Sequence, residues 1–338
     1  MKRETQKRWT ADELLELGRS YQAAAVFAAA ADLDLFDALV DGARTAKEMA
    51  RKLRGDLRGI IILLDALVAL RLLGKRGGRY ALPAGAAAFL TSDGSQSILA
   101  MAQHQANCLR NWVQLARVVK TGRPAERLPS VRGEAGDQAA FIGAMHNISA
   151  PLADRVIQAV RPLHFQHLLD LGGASGTWTI AFLRACPTAR ATLFDLPHVI
   201  PMARRRLAAA GLGRRVKLVA GDFMKDPLPP GADLAWVSAI VHQNSRTQNR
   251  VLFAKARQSL TAGGRIAIRD ILMDETRTRP VASALFAVNM LVATPGGGTF
   301  TFDELREDLQ AAGFTQVAVL RRDVAMNSIV VAEKPGRR

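Results

Sequence analysis

His167-Leu168-Leu169-Asp170-Leu171-Gly172-Gly173-Ala174-Ser175-Gly176-Thr177 is the stretch whose reading decides the fold. It begins as an apolar run of strand length and breaks into a glycine-rich turn. It then enters Trp178-Thr179-Ile180-Ala181-Phe182-Leu183-Arg184, where the apolar positions have helical spacing. Strand, tight turn and helix in that order make the first unit of a nucleotide-binding α/β sheet. Glycines let the chain turn sharply and approach a ligand without Cβ clashes. The helix that follows points its free N–H groups at whatever occupies the crevice.

The spacing narrows the ligand. A dinucleotide turn, G-x-G-x-x-G, would need glycine at 172, 174 and 177, but Ala174 and Thr177 stand at the last two. The pattern that fits is acidic-x-G-x-x-x-G, running from Asp170 through Gly172 to Gly176. An acid at the strand end suits a ligand with a cationic amine better than a pyrophosphate. S-adenosylmethionine (SAM) carries such an amine and no phosphate.

Downstream, strands and helices alternate. Strands are predicted at His167–Leu171, Arg190–Phe194, Val216–Ala220, Asp233–Ser238, Arg265–Asp270, Thr315–Leu320 and Asn327–Glu333. Helices are predicted at Thr177–Ala185, Val199–Ala210, Gln248–Leu260 and Phe302–Ala312. This is a doubly wound sheet whose last two strands are close enough in sequence to form an antiparallel edge pair. Ligand chemistry belongs at the carboxyl ends of such strands. Those ends carry Asp170, Asp195, Asp222, His242 and Asp270. Asp195 can take both ribose hydroxyls. Asp222-Phe223 can accept an adenine amine hydrogen and cover the ring. Acids also cap helices, so each has an ordinary structural reading beside this one.

Residues 1 to about 160 read as helical. Thr10 with Glu13 and Thr45 with Glu48 form capping boxes. The first opens helical patterning that continues to Leu39, with Gly42 ending the region. After Gly55 a helix carries apolar residues at 57, 60, 61, 64, 67 and 68, and Gly74 to Pro83 reads as a hairpin. Together these make a winged-helix pattern. The second helix is apolar on most of its circumference and poor in the Asn and Gln that read base edges. A buried helix in a dimer module therefore fits better than a DNA reader. Ser95 to Thr121 reads as one long helix or two joined ones, Gly122 to Gly136 as a surface connection, and Ser149 to Val160 as a helix closed by Pro162.

Composition sets outer bounds. The 338 residues, 49% of them hydrophobic, are enough for two domains and a sizeable core. Cys108 and Cys186 form no CxxC and the six histidines no ligand cluster, which argues against a disulfide framework or a metal site. The longest apolar runs are too short to cross a bilayer. Acidic residues bracket the alanine-rich segment near the start, so a packed helix fits better there than a leader. Arginine supplies 36 of the 46 basic residues behind the net charge of +16. These arginines are spread from Arg3 to Arg338 without a block flanked by stacking aromatics, a pattern of solvated faces more than of a nucleic-acid surface.

Phe194-Asp195-Leu196-Pro197-His198-Val199-Ile200, joined to Leu169–Gly176, Gly221-Asp222-Phe223 and Thr261–Ile268, resembles the SAM-dependent small-molecule O-methyltransferases. That family includes the caffeate, flavonoid and acetylserotonin enzymes and many bacterial tailoring enzymes. The resemblance covers nearly the whole chain. It implies a winged-helix dimerisation domain over residues 1–122, connecting and substrate-covering helices over 123–160, and a SAM-binding catalytic domain over 161–338. It further implies a cytoplasmic homodimer in secondary metabolism that releases S-adenosylhomocysteine (SAH), with no metal, membrane or nucleic-acid partner. His242 would take the proton of the acceptor hydroxyl and Asp270 would orient it. The cofactor would lie on Asp170, Gly172, Gly173, Gly176, Asp195, Leu196, Asp222, Phe223 and Ser238. Met145, His146, Trp112, Asn289 and Met290 would line the acceptor pocket.

Three departures from the family pattern stand out. Gln243-Asn244 replaces Asp-Trp after the histidine, and Thr299 stands where a second orienting glutamate falls. Ser238 replaces a lysine that plant enzymes place near adenine. Two other functions share these motifs in part: a SAM enzyme methylating carbon or nitrogen or doing non-methylating chemistry, and a winged-helix DNA-binding regulator.

Overall fold

A computed structural model of the protein describes residues 7–160 and 164–336; Pro162, Arg3 and Arg338 lie outside the described residues. The chain divides into two compact units, Met1–Arg110 with Leu128–Asn147 and Asn111–Arg127 with Ile148–Arg338. The units are thus interleaved in sequence, whereas the resemblance suggested consecutive segments.

In the second unit the sheet strands are His167–Leu171 (β1), Arg190–Asp195 (β2), Val216–Ala220 (β3), Ala232–Ser238 (β4), Leu260–Asp270 (β5), Thr315–Arg321 (β6) and Ser328–Glu333 (β7). Their spatial order is β3-β2-β1-β4-β5-β7-β6. β1 to β5 run parallel, and β7 is antiparallel to both β5 and β6. The expected antiparallel pair is present, with β7 inserted between β6 and the parallel strands. The order reverses between β1 and β4, where open α/β sheets form their ligand crevice.

The sheet is covered on both faces, so its central strands are apolar throughout instead of alternating. One face buries Leu168, Trp178, Phe182, Trp236 and Ala267. The other buries Leu169, Leu171, Val237, Phe253, Ile268 and Leu305. Helices Thr177–Ala185, Ile200–Ala209, Arg246–Ser259 and Phe302–Ala311 match the sequence expectation within two residues. The last two open with capping boxes, Ser245 with Gln248 and Thr301 with Glu304.

In the first unit both expected capping boxes form, at Thr10 and Thr45. Helical patterning does not run unbroken to Leu39. The helices are Ala11–Arg19 and Tyr21–Asp32, and Asp34 in the left-handed region (φ +51°) turns the chain into a short 3-10 segment. Helix Leu57–Ala69 buries Ile60, Leu64 and Leu67. The hairpin pairs Gly74–Arg76 with Arg79–Ala81 through Gly77 and Gly78, both at positive φ as a two-residue turn requires. Arg44–Thr45 adds a third strand.

Two boundaries need correction. The Gly122–Gly136 connection ends at Gly133, where a helix runs to Ser149, and the helix expected from Ser149 spans only Ala153–Ala159. Asp137 accounts for the first shift. Its carboxylate accepts from the Ser130 N–H (2.9 Å) and hydroxyl (2.5 Å), tying the connection to the N-terminal part of the new helix.

Trp236 is fully buried in the core of the first face, against Trp178 and Phe182, and its indole N–H has no acceptor among the described residues. Trp236→Ala should lower unfolding free energy by roughly 3–5 kcal/mol. Trp236→Phe, which keeps one aromatic ring and drops the unpaired donor, should cost clearly less. Urea denaturation of the two variants checks this; equal losses would contradict it.

Candidate active site

The glycine turn is wedged between two neighbours. Gly172, Ala174 and Gly176 have φ of +68°, +45° and +77°. A Cβ on Gly172 would lie 2.6 Å from Ile240 Cδ1, and one on Gly173 would lie 2.6 Å from Leu193 Cγ. The Gly172 N–H donates to the Phe194 carbonyl (2.9 Å) and the Gly176 N–H to that of Gly173 (2.8 Å). Asp195, the last residue of β2, clamps the turn. Its Oδ2 accepts from the Ala174 N–H and its Oδ1 from the Leu196 N–H, both at 2.7 Å. Burial holds the Asp195 carboxyl above its ordinary value, opposed by those two N–H groups. Each carboxylate oxygen keeps a lone pair for a further donor. The Leu196 side chain is exposed.

Asp170 is 1% exposed, and burial pushes its carboxyl up to about 7, with the neighbouring Asp195 charge adding to the shift. The Thr179 hydroxyl donates to its Oδ2 at 2.5 Å, while Oδ1 has no partner among the described residues. A buried carboxylate oxygen without a donor is costly, and a ligand ammonium would offset that cost.

Asp222 is more exposed. Its Oδ1 accepts from the Met224 N–H (2.9 Å) and its Oδ2 lies 3.3 Å from the Lys225 ammonium. The Met224 N–H first, then Lys225, holds its carboxyl below the ordinary value. The carboxylate therefore closes a local turn as well as facing the rim. The Phe223 ring comes within 3.9 Å of the ideal Gly172 Cβ position, beside the glycine turn. The Ser238 hydroxyl accepts from Arg269 Nη1 at 3.1 Å.

His242 lies in a 3-10 turn after β4, and Asp270 ends β5; both are buried. His242 Nδ1 stands 2.8 and 3.0 Å from the two Asp270 oxygens. The Ile271 N–H donates to Asp270 Oδ1 at 2.8 Å, which fixes the carboxylate. With Asp270 ionised, Nδ1 carries the proton and Nε2 keeps its lone pair. The Phe286 ring packs edge-to-face on the imidazole, with centroids 4.9 Å apart. The Gly298 N–H donates to the His242 carbonyl (2.9 Å), and a Cβ on Gly297 would collide with that carbonyl. Thr299 is buried with its hydroxyl unpartnered among the described residues.

Gln243 and Asn244 have structural work here. The Gln243 amide donates to the Ala239 carbonyl (3.1 Å). Asn244 Nδ2 donates to Asn249 Oδ1 (3.1 Å), and Asn249 Nδ2 donates to the Val241 carbonyl (2.9 Å). Asn249 is fully buried and braces the turn that carries His242. Of the expected acceptor residues, Trp112 Nε1 donates to Asn289 Oδ1 at 2.8 Å, and Met290 is buried beside them in sequence. Met145 and His146 lie on helix Gly133–Ser149 of the first unit. Sequence reading missed Thr179, Asn249, Phe286 and Arg269. Only Arg269 left a signal, as a charge that directly follows the apolar run Ile266–Ile268 and precedes Asp270.

Residues 114–315 match the model of the O-methyltransferase domain, and residues 15–92 match that of the O-methyltransferase dimerisation domain. The chain belongs to the O-methyltransferase family. The 3-hydroxy-5-methyl-1-naphthoate 3-O-methyltransferase of Streptomyces sahachiroi is 33% identical over 87% of this chain and 86% of its own. The N,N-dimethyltransferase OxyT of Streptomyces rimosus is 29% identical over 96% and 97%. The crystal structure of human N-acetylserotonin methyltransferase in complex with SAM superposes with a TM-score of 0.81 and 26% identity, covering 98% of this chain and all of that one. This methyltransferase is accordingly SAM-dependent. Among its described residues no helix is long and apolar enough to cross a membrane.

A carboxyl raised in the fold contributes stability below its unfolded value, near pH 4, and that contribution is lost as pH rises through about 7. Asp170→Asn removes this dependence. The melting temperature of the ligand-free variant relative to wild type should therefore rise from pH 5 to pH 8. A difference that stays constant across that range would contradict a raised Asp170 carboxyl.

Proposed function

We propose that this methyltransferase transfers the methyl group of SAM to a hydroxyl of a small aromatic or cyclic metabolite, with His242 as general base. The observation that carries the reading is the buried Asp270 carboxylate on His242 Nδ1, which leaves Nε2 as the proton acceptor. A phenol or alcohol is a poor nucleophile until deprotonated, and a neutral imidazole performs that step near neutral pH. When bound, SAM supplies an electrophilic sulfonium methyl. The chain's own residues bind, orient and exclude water. The bare turn of Gly172, Gly173 and Gly176 admits the ligand backbone-close, and Asp170 Oδ1 takes its ammonium. Asp195 takes the ribose hydroxyls, Asp222, Phe223 and Leu196 surround the base, and Ser238 serves the cofactor from the end of β4. Trp112, Asn289 and Met290 hold the acceptor. Catalysis is then deprotonation plus in-line positioning, with SAH as product.

The S. sahachiroi relative is named for the hydroxyl of a naphthoate, which supports an aromatic acceptor. OxyT is named for dimethylation at nitrogen, which keeps a second reading open in a chain whose Thr299 offers no second carboxylate near the base. An amine that is neutral when it attacks needs no base.

The segment 44–81, with its two helices and three-stranded wing, reads as a winged-helix module of a cytoplasmic homodimer. Its second helix is packed into the core by Ile60, Leu64 and Leu67, which leaves it ill-suited to reading DNA. Leu14, Leu15, Leu17 and Tyr21 are exposed on the first helices and suit a second copy of the chain.

His242→Ala should lower kcat for hydroxyl acceptors by about 10²- to 10⁴-fold while leaving the dissociation constant for SAH within a few-fold. Steady-state kinetics on a panel of hydroxyarenes and arylamines, beside calorimetric SAH titration, reads both. Undiminished O-methylation by the variant would remove the base role, and turnover confined to amines would favour the nitrogen reading.

A further inference from the structure

Arg269 is 2% exposed and has no carboxylate within ion-pair distance among the described residues. Its Nη1 donates to Ser238 Oγ (3.1 Å), and its Nε and Nη2 donate to Asn327 Oδ1 (3.0 and 2.7 Å). The guanidinium lies over the Trp178 ring, 4.4 Å from its centroid. All these partners are neutral. A guanidinium has five N–H donors, so one hydrogen on each Nη lacks an acceptor among the described residues. Burial lowers Arg269 only to about 10, so it stays cationic at neutral pH. The Asp270 and Asp323 charges oppose the burial from beyond contact distance; a buried cation without a contacting anion is costly, and its cost falls when an anion arrives.

Its place indicates which anion. The register pairs Asp170 with Trp236, and Ser238 with Arg269, so Asp170, Trp236, Ser238 and Arg269 project from one face of the sheet. Nη1 is held at Ser238, the last residue of β4, and β4 is the strand that pairs with β1 and its glycine turn. One face of the rim thus carries an acid with a free oxygen and, nearer the strand ends, a cation with free N–H groups. An α-amino acid presents the complementary pair, an ammonium and a carboxylate on one carbon. The carboxylate is the only anionic group of SAM or SAH, so a cation at this rim is compatible only with that end of the ligand.

We propose that Arg269 receives the carboxylate of the cofactor's amino-acid end, opposite the ammonium held at Asp170. This rests on the placement of SAM at the rim given above. Ser238 then serves the cofactor through Arg269, and the positive charge lost where Ser238 replaces lysine is supplied from the neighbouring strand.

The test compares SAH with 5′-methylthioadenosine, which keeps the nucleoside and thioether but lacks the amino-acid end. Both are titrated calorimetrically into the full-length protein and its Arg269→Met and Arg269→Lys variants. Arg269→Met should weaken SAH binding roughly ten- to hundredfold, the range of a charge-assisted hydrogen-bonded pair, and leave methylthioadenosine within about twofold. Arg269→Lys should fall between for SAH alone. Equal weakening of both ligands, as loss of a purely structural clamp would give, overturns the proposal; so does unchanged SAH binding. If Arg269→Met does not fold, the same comparison is read from Arg269→Lys. Wild type should also prefer SAH to its decarboxylated analogue by at least about tenfold, and lack of that preference overturns the proposal. A wild-type protein that binds neither SAH nor methylthioadenosine would instead overturn the rim placement itself.

Discussion

The close approach at Gly172 and Gly173 is the constraint on which the site depends. The turn is held by main-chain contact with β2, by the Asp195 carboxylate on the Ala174 N–H, and by Ile240 on its far side. Any Cβ there would force β2 and the segment after β4 apart. Ala174, left-handed without being glycine, shows how firmly the surroundings fix the path. Because Ile240 leads directly into His242, the packing that shapes the turn also sets where the histidine turn begins.

The two faces of the sheet divide the chemistry. On one, Asp170 and Arg269 are buried charges with unused hydrogen-bonding capacity, beside Trp178 and Trp236. On the other, Asp270 and His242 satisfy each other, with Asn249, Phe286 and the Gly297-Gly298 backbone fixing the turn that carries the imidazole. Period-two alternation along the strands is enough to separate them: Arg269 and Asp270 are neighbours in sequence and project to opposite sides. Buried ionic groups of this kind weaken a core unless something specific meets them. That they cluster where the parallel strands end is the physical signature of a binding rim.

Departures from the family pattern also have local explanations. Gln243 bonds the Ala239 carbonyl and Asn244 bonds the Asn249 side chain, contacts that hold the histidine turn and leave the Asp270 contact in place. Thr299 brings no charge, and Phe286 packs against the imidazole.

The sequence by itself determined the order of strands and helices, because hydrophobic periodicity, capping boxes and the glycine turn are local signals. It also identified Asp170, Asp195, His242 and Asp270, since strand ends can be found from strand positions alone. Tertiary structure decided what those residues touch. The pairing of His242 with Asp270 joins residues 28 apart, and that of Trp112 with Asn289 joins residues 177 apart. Helix Gly133–Ser149 was hidden by a Gly- and Arg-rich start that reads as loop, and Asn249 by looking like any polar residue on a helix. Arg269 was visible as a charge beside Asp270, but what it touches was not. Register alone placed it beside Ser238 on the face of Asp170, because which strands are neighbours is set by packing across the whole sheet and is written in no single stretch of chain.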